Sequence, residues 1–166
     1  MIYMTEIKNL SSRLYELLKE KKLMISTAES CTGGLIGKTL TDISGISAHY
    51  GYGFITYSNE AKQNLLGVKK ETLASFGAVS AETVKEMATG ALLKSGSDIS
   101  VSVSGIAGPG GGSEEKPVGL VYIGIKSKDN DAKSHRFIFA GTREEVRLET
   151  VKKAIELVIE EIENIR

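Results

Sequence analysis

The sequence predicts an α/β fold, a three-layer α/β/α sandwich around a mixed, mostly parallel sheet. Through the first half of the chain, segments of helical periodicity alternate with short apolar strands, the pattern of β-α-β units. In the second half two strand-like segments follow one another across a four-residue turn, "KDND", which breaks the parallel order. The 18 glycines gather around 33–37, 51–53 and 105–112, where backbone must bend tightly or approach a ligand. With 166 residues the chain is long enough to bury a core, and it reads as a single domain over 1–166 without internal repeat or low-complexity segment.

Each element has its own signal. In "TEIKNLSSRLYELLKE", Ile7, Leu10, Leu14 and Leu18 share one helical stripe. "KLMIST" is a short apolar strand, and "GGLIGKTLTDI" reads as the helix after it. "GFITYS", Gly53 to Ser58, is the second strand, followed by a short helix "NEAKQNLLGV" capped by Ser58 or Asn59. "SAETVKEMATGALLKSG" is a helix with Ser80 as N-cap and Gly96 as stop. "DISVSVSG" alternates Ile99, Val101 and Val103 with serines, a strand signature. A glycine-rich loop, "GIAGPGGGSEEKPVG", leads to the strands "VGLVYIGIKS" and "KSHRFIFA", an expected antiparallel pair. The last helix starts from Thr142, where Thr142 and Glu145 form a capping box.

Composition narrows the function classes. Lys plus Arg and Asp plus Glu both count 21, so no net charge draws the chain to nucleic acid or an anionic membrane. One cysteine, Cys31, allows no internal disulfide and fits a reducing compartment. No apolar run reaches bilayer length, and the acidic, helically periodic start does not read as a signal peptide, so a cytoplasmic location is expected.

"TAESCTGGLIGKTLTD", 27–42, invites comparison with a phosphate-binding loop. With Gly37-Lys38-Thr39 fixed, G-x-x-x-x-G-K-[ST] needs glycine at position 32, which is threonine. Lys38 falls inside the predicted helix as a solvated surface lysine, and no Walker-B acid follows "SVSVSG". Ser30 instead sits where a strand turns into a helix expected to begin near Thr32. Amides from Cys31 to Gly34 would point outward there, able to bind a phosphate or an acyl-transfer oxyanion. The plain alternative is that Ser30 or Thr32 only caps the helix. The strand ends after Thr27, Tyr57 and Ser104 carry the unusual residues. If the strands are parallel they share one edge, where open α/β sheets bind ligands.

"AESCTGG", "TYSNEAKQNLLGV", "VSGIAGPGGGSEEKPVG" and "GTREEVR" together resemble the CinA C-terminal domain family, the nicotinamide mononucleotide deamidases, in four separated motifs over nearly the whole chain. The resemblance implies hydrolysis of the carboxamide of nicotinamide mononucleotide to nicotinate mononucleotide and ammonia, as in pyridine nucleotide salvage. It implies a serine nucleophile, Ser30, with Lys62 and Tyr57 nearby and neither metal nor cofactor. It places the family's arginine at Arg143 or Arg147. Expected substrate-binding positions are Cys31, Thr32, Gly33, Gly34, Gly105, Ala107, Gly108, Arg143 and Arg147. The expected partners are this small nucleotide and further copies of the chain in a homo-oligomer, with no nucleic acid and no membrane. Ile46 stands where relatives carry a serine, which loosens one pocket wall. The longer two-domain relatives' pyrophosphatase-like domain has no counterpart in these residues, and its activity is not carried over. A non-catalytic nucleotide-binding module of the same fold is the alternative.

A serine hydroxyl needs a base. His135 shares a strand face with Phe137 and Phe139 and reads as structural, and His49, in a loop before the second strand, is a weaker base. Lys62 serves if burial or a nearby cation lowers its pKa from about 10.4. Tyr57 is expected to hydrogen-bond Ser30 or Lys62 and relay the proton to ammonia. Cys31 is the rival nucleophile. On the last helix Arg147 and Arg143 continue the apolar stripe of Val151, Ile155, Val158, Ile162 and Ile165 and need partners, either a buried carboxylate such as Glu29 or the substrate phosphate. The loop "GIAGPGGGSEEKPVG" is expected to close over the substrate with Glu114-Glu115-Lys116 as its solvated tip.

Overall fold

The computed structural model describes residues 2–165. In chain order they form α1 (Ile2–Lys21), β1 (Ile25–Glu29), α2 (Leu35–Thr41), a 3-10 turn (Ile46–Ala48), β2 (Tyr50–Ile55), α3 (Asn59–Leu66), α4 (Lys70–Phe76), α5 (Ala81–Ser95), β3 (Ile99–Gly105), β4 (Leu120–Ser127), β5 (Lys133–Ile138) and α6 (Arg143–Glu163). The sheet runs β2-β1-β3-β4-β5. β1 is parallel to both its neighbours, while β4 is antiparallel to β3 and to β5. Only β4 therefore runs against the rest, and the mixed, mostly parallel α/β/α sandwich holds.

The alternating β3 pattern shows how the layers are built. Ile99, Val101 and Val103 join Leu14, Leu18, Ile36, Leu40, Ile155 and Val158 in the core under α1, α2 and α6. The intervening serines do not face water. Ser100 Oγ donates to Ala88 O and Ser102 Oγ to Val84 O, both carbonyls of α5. Small side chains are needed because α5 lies almost on the sheet. A Cβ on Gly124 would fall 2.4 Å from Ser102 Oγ and from Val84 O. The smaller core on this side is Ala28, Leu66, Val68, Val84, Met87 and Ala91.

Three elements differ from expectation. α2 starts at Leu35, after Gly33 and Gly34 take φ of 59° and 105°, so the chain turns twice before it can coil. β2 begins three residues earlier than expected, because Tyr50 and Tyr52 pair with Ile25 and Ser26 of β1, with Gly51 as the extra residue at a register shift between them. Tyr50 folds back to hydrogen-bond Thr27 Oγ1 at 2.7 Å, and the absent side chain of Gly53 leaves room for its hydroxyl. α4 had no local signal, since its cap comes from α5. Glu86 accepts from Lys69 N at 2.8 Å and Thr72 Oγ1 at 2.6 Å. Among the described residues no helix is long and apolar enough to cross a membrane.

Candidate active site

β1 is the switch point of the sheet. The crossover to β2 passes through α2 on one face, and the return to β3 passes through α3, α4 and α5 on the other. The ends of β1 and β3 therefore part at their carboxyl edge, where a crevice forms in such sheets. Ser30 is the first residue beyond β1. Its N–H donates to Val103 O at 3.1 Å, and Thr56 N donates to Glu29 O at 2.8 Å. The neighbouring strands thus clamp the backbone on either side of the nucleophile candidate.

Ser30, Cys31, Tyr57, Gly105, Ala107, Gly108 and Arg143 line a cleft of about 270 Å³ at this edge. Larger hollows of about 860 Å³ between α1 and α2, and about 530 Å³ beside α3 and α5, are lined by no buried lysine or histidine among the described residues. Size is a poorer guide here than the convergence of reactive groups.

Lys62 enters from α3, whose first turn is capped by Ser58 Oγ accepting from Ala61 N at 3.0 Å. Its side chain is only 2% exposed. Nζ lies 3.1 Å from Ser30 Oγ and donates to Thr56 O at 2.8 Å. Among the described residues it forms no ion pair, and burial pushes its pKa below the ordinary lysine value, with Cys31 acting weakly the other way. A lysine that is buried, unpaired with a carboxylate and touching a hydroxyl is arranged to be a neutral base.

The rival bases stand away from the cleft, and the rival nucleophile lines it but is buried. His49 stands at the opposite end of β1, its Nδ1 2.9 Å from Leu23 O and its ring against Tyr15. His135 lies in β5, opposite Ile123 of β4, away from the cleft. The Cys31 thiol belongs to the core, and burial pushes its pKa up to about 12.

The backbone around Ser30 is braced from two sides. Glu29, 2% exposed, accepts from Thr32 Oγ1 (2.6 Å), Ile36 N (2.8 Å) and Gly37 N (3.0 Å). The N-terminus of α2 is thus capped by this carboxylate, and neither Ser30 nor Thr32 acts as its N-cap. Gly33 N donates to Ser30 O at 3.0 Å, while the amides of Thr32 and Gly34 have no partner among the described residues and that of Cys31 meets only its own thiol. Lys38 is a surface residue paired with Asp42 at 2.7 Å, so the resemblance to a phosphate loop is superficial.

The two arginines part company. Arg143 crosses the cleft mouth, donating to Gly108 O at 2.8 Å and to Tyr57 Oη at 3.1 Å. Tyr57, 62% exposed, makes this bond in place of the expected one to Ser30 or Lys62. Arg147 lies behind the nucleophile turn, donating from Nη2 to Thr32 O at 2.9 Å, with its buried Nε unpartnered. Neither arginine pairs with Glu29, whose acceptor sites are taken by the turn itself. Thr32, Gly33 and Gly34 shape the turn rather than the cleft lining. In the glycine-rich loop Glu114 and Glu115 are exposed, but Lys116 is no free tip, since Nζ donates to Phe76 O at 2.6 Å and ties the loop to α4. Sequence reasoning missed the capping role of Glu29 and the part of the Thr56 carbonyl. An acid directly before a turn into a helix is a usable signal for the first, but a main-chain carbonyl leaves no trace in sequence.

The sequence profile of the CinA C-terminal domain matches residues 7–162. A nicotinamide-nucleotide amidohydrolase, PncC, from Enterobacter agglomerans is 49% identical over 93% of this chain and 94% of its own length. A CinA-like protein from Leptospira biflexa is 51% identical over 90% of this chain, which spans only 36% of that protein. The chain thus covers about a third of several of its curated relatives. The crystal structure of the competence/damage inducible protein CihA from Agrobacterium tumefaciens superposes with a TM-score of 0.91 at 49% identity, covering 93% of this chain and 94% of that one. That of the competence damage-inducible protein A from Klebsiella pneumoniae gives 0.92 at 36% identity, covering 96% and 99%.

Proposed function

This chain belongs to the CinA C-terminal domain family, and from that membership and the cleft geometry we propose that it acts as one amidohydrolase domain on nicotinamide mononucleotide, releasing nicotinate mononucleotide and ammonia. The observation that carries the reading is the 3.1 Å contact between Ser30 Oγ and the buried Nζ of Lys62, which has no ion-pair partner among the described residues. The resemblance in sequence to a nicotinamide-nucleotide amidohydrolase along almost its full length supports the choice of substrate.

In the proposed reaction Ser30 Oγ attacks the carboxamide carbon as neutral Lys62 takes its proton. The oxyanion is received by the free N–H groups of Cys31 and Thr32, since Ser30 N is already spent on Val103 O. Lys62 then returns the proton to the departing nitrogen, the C–N bond breaks, and ammonia leaves a nicotinoyl ester on Ser30. Water attacks the ester with Lys62 again as base, and collapse restores the serine and frees the nicotinate carboxylate. Nucleophile and base are both side chains of this chain, so the scheme calls for no metal or cofactor. Arg143 is placed to receive the phosphate at the cleft mouth, and Tyr57 holds that arginine rather than relaying protons.

The test is ammonia release from nicotinamide mononucleotide by the wild type and by Ser30→Ala. Release by the wild type that falls to background in the variant supports the reading. Nucleotide binding with no release would reassign the chain as a non-catalytic nucleotide-binding module, and activity surviving Ser30→Ala would remove the serine from the mechanism.

A further inference from the structure

The orientation of Arg147 is at odds with substrate binding. It lies half-buried against the nucleophile turn, outside the cleft lining, and among the described residues Thr32 O is the only acceptor its guanidinium meets. A half-buried cation held on a single carbonyl has a structural or electrostatic purpose.

The hydrogen bonds that continue from it supply one. Arg147 Nη2 donates to Thr32 O at 2.9 Å. That carbonyl and the N–H of Gly33 belong to one peptide group, and Gly33 N donates to Ser30 O at 3.0 Å. The Ser30 carbonyl in turn shares a peptide group with the N–H of Cys31, which meets only its own thiol and donates to no other residue among the described residues. The chain therefore runs from guanidinium through two peptide groups to the Cys31 amide, next in the chain to Ser30. Each link polarises the next in the same sense, because a charge-assisted bond at a carbonyl makes the N–H of that peptide a stronger donor. The two positive φ values at Gly33 and Gly34 hold the turn in the shape that aligns these groups.

We infer that Arg147 is a positioning residue that polarises the Cys31 N–H through the Thr32–Gly33 and Ser30–Cys31 peptides, making that amide the principal oxyanion donor. The assignment rests on the amidohydrolase reading for its consequence in turnover, while the polarised amide itself stands on the hydrogen bonds alone. Arg143 is thereby left as the arginine available to a substrate phosphate. Loss of an oxyanion donor outright costs about 10²–10³ in turnover, so loss of its polarisation costs less, about tenfold.

Two measurements on Arg147→Met and Arg147→Lys decide it. In steady-state kinetics with nicotinamide mononucleotide, Arg147→Met lowers kcat about tenfold with KM nearly unchanged, and Arg147→Lys, which keeps a cation for Thr32 O, recovers part of the loss. A raised KM with kcat intact would make Arg147 a phosphate ligand and overturn the inference while leaving the amidohydrolase reading in place. In ¹⁵N–¹H spectra the Cys31 and Gly33 amide protons move upfield together in Arg147→Met and less in Arg147→Lys, with the Ile36 and Gly37 amides, held by Glu29, as unmoved references. A Cys31 amide that does not move overturns the inference. If the wild type releases no ammonia, the amidohydrolase reading fails and the spectra alone decide on the relay. If Arg147→Met fails to fold, the Lys variant decides by the same two readouts.

Discussion

Replacing Lys62 by methionine separates catalysis from stability. Lys62 is the only base within hydrogen-bonding reach of Ser30 Oγ among the described residues, and it is used in both halves of the proposed cycle. General acid–base groups contribute about 10²–10⁴ in rate, and a group used twice belongs at the upper end, so Lys62→Met should lower kcat by about 10⁴. Stability should move the other way or not at all. The side chain is 2% exposed with no carboxylate partner, so folding removes an ammonium from water without an ion pair in return. Methionine fills much of the same volume and carries no such cost. The sign of the pH dependence follows from the lowered pKa. Between the folded value and about 10.4 the unfolded chain holds a proton that the native state does not, so stability rises with pH across that window. Below the folded value both states are protonated and the slope vanishes. The same ionisation should appear as an acid limb in kcat/KM, with activity rising as Lys62 loses its proton below the usual lysine range. Ammonia release against pH and urea unfolding at several pH values measure both. A Met variant with kcat within about tenfold of wild type, or an unfolding curve that keeps the wild-type pH slope, would refute the assignment of Lys62 as a neutral base.

Cys31→Ala should keep turnover close to wild type, because a buried thiol with its pKa pushed up to about 12 offers almost no thiolate at neutral pH. It should cost about 1 kcal/mol of stability from the small cavity left, and loss of ammonia release in a folded variant would return the cysteine to contention. Gly124→Ala should lower the urea midpoint by the equivalent of about 1–3 kcal/mol, because the new Cβ meets Ser102 Oγ and Val84 O at 2.4 Å and pushes α5 off the sheet. An unchanged midpoint would show that α5 is not held so closely. For Glu161 burial acts to raise the pKa, but hydrogen bonds from Lys133, Asn130 and Ser127 outweigh it and hold the carboxylate below its usual range. Its stabilisation is therefore full above about pH 4.3 and lost as pH falls through the folded value. Glu161→Gln should flatten that acid limb, and thermal melts from pH 3 to 7 that match wild type would contradict the network's role.

The layers and most elements were legible because they are written in local periodicity. The stripe of Ile7, Leu14 and Leu18 and the caps at Ser58, Ser80 and Thr142 need only the segment itself to be read. Features set by distant residues escaped. The cap of α4 belongs to Glu86 on another helix, and the start of β2 is dictated by its register with β1. At the site, the pairing of Ser30 with Lys62 could be anticipated from motifs 32 positions apart, because the family resemblance joined them. What neither periodicity nor motif carried was direction. Tyr57 and Arg143 turn toward each other across the cleft mouth, and Arg147 turns inward onto a carbonyl. Side-chain direction is decided by what the fold brings alongside, and at these positions that is backbone oxygen and a phenol.

Glu29 explains why a stretch so like a phosphate loop does different chemistry. A phosphate loop keeps its helix N-terminus open for an anion. Here the carboxylate one residue before Ser30 enters that position and takes Ile36 N, Gly37 N and the Thr32 hydroxyl. A second anion at those amides would face both a missing donor set and a like charge a few ångströms away. Among the described residues, the amides that donate to no other residue are those of the turn itself, at Cys31, Thr32 and Gly34, beyond the reach of Glu29's hydrogen bonds. The helix end serves to hold the turn rigid, and the turn is left free for the transient oxyanion of the proposed reaction. This division requires a residue that is negative, buried and satisfied at once, which is why the acid sits inside the strand end rather than in the loop.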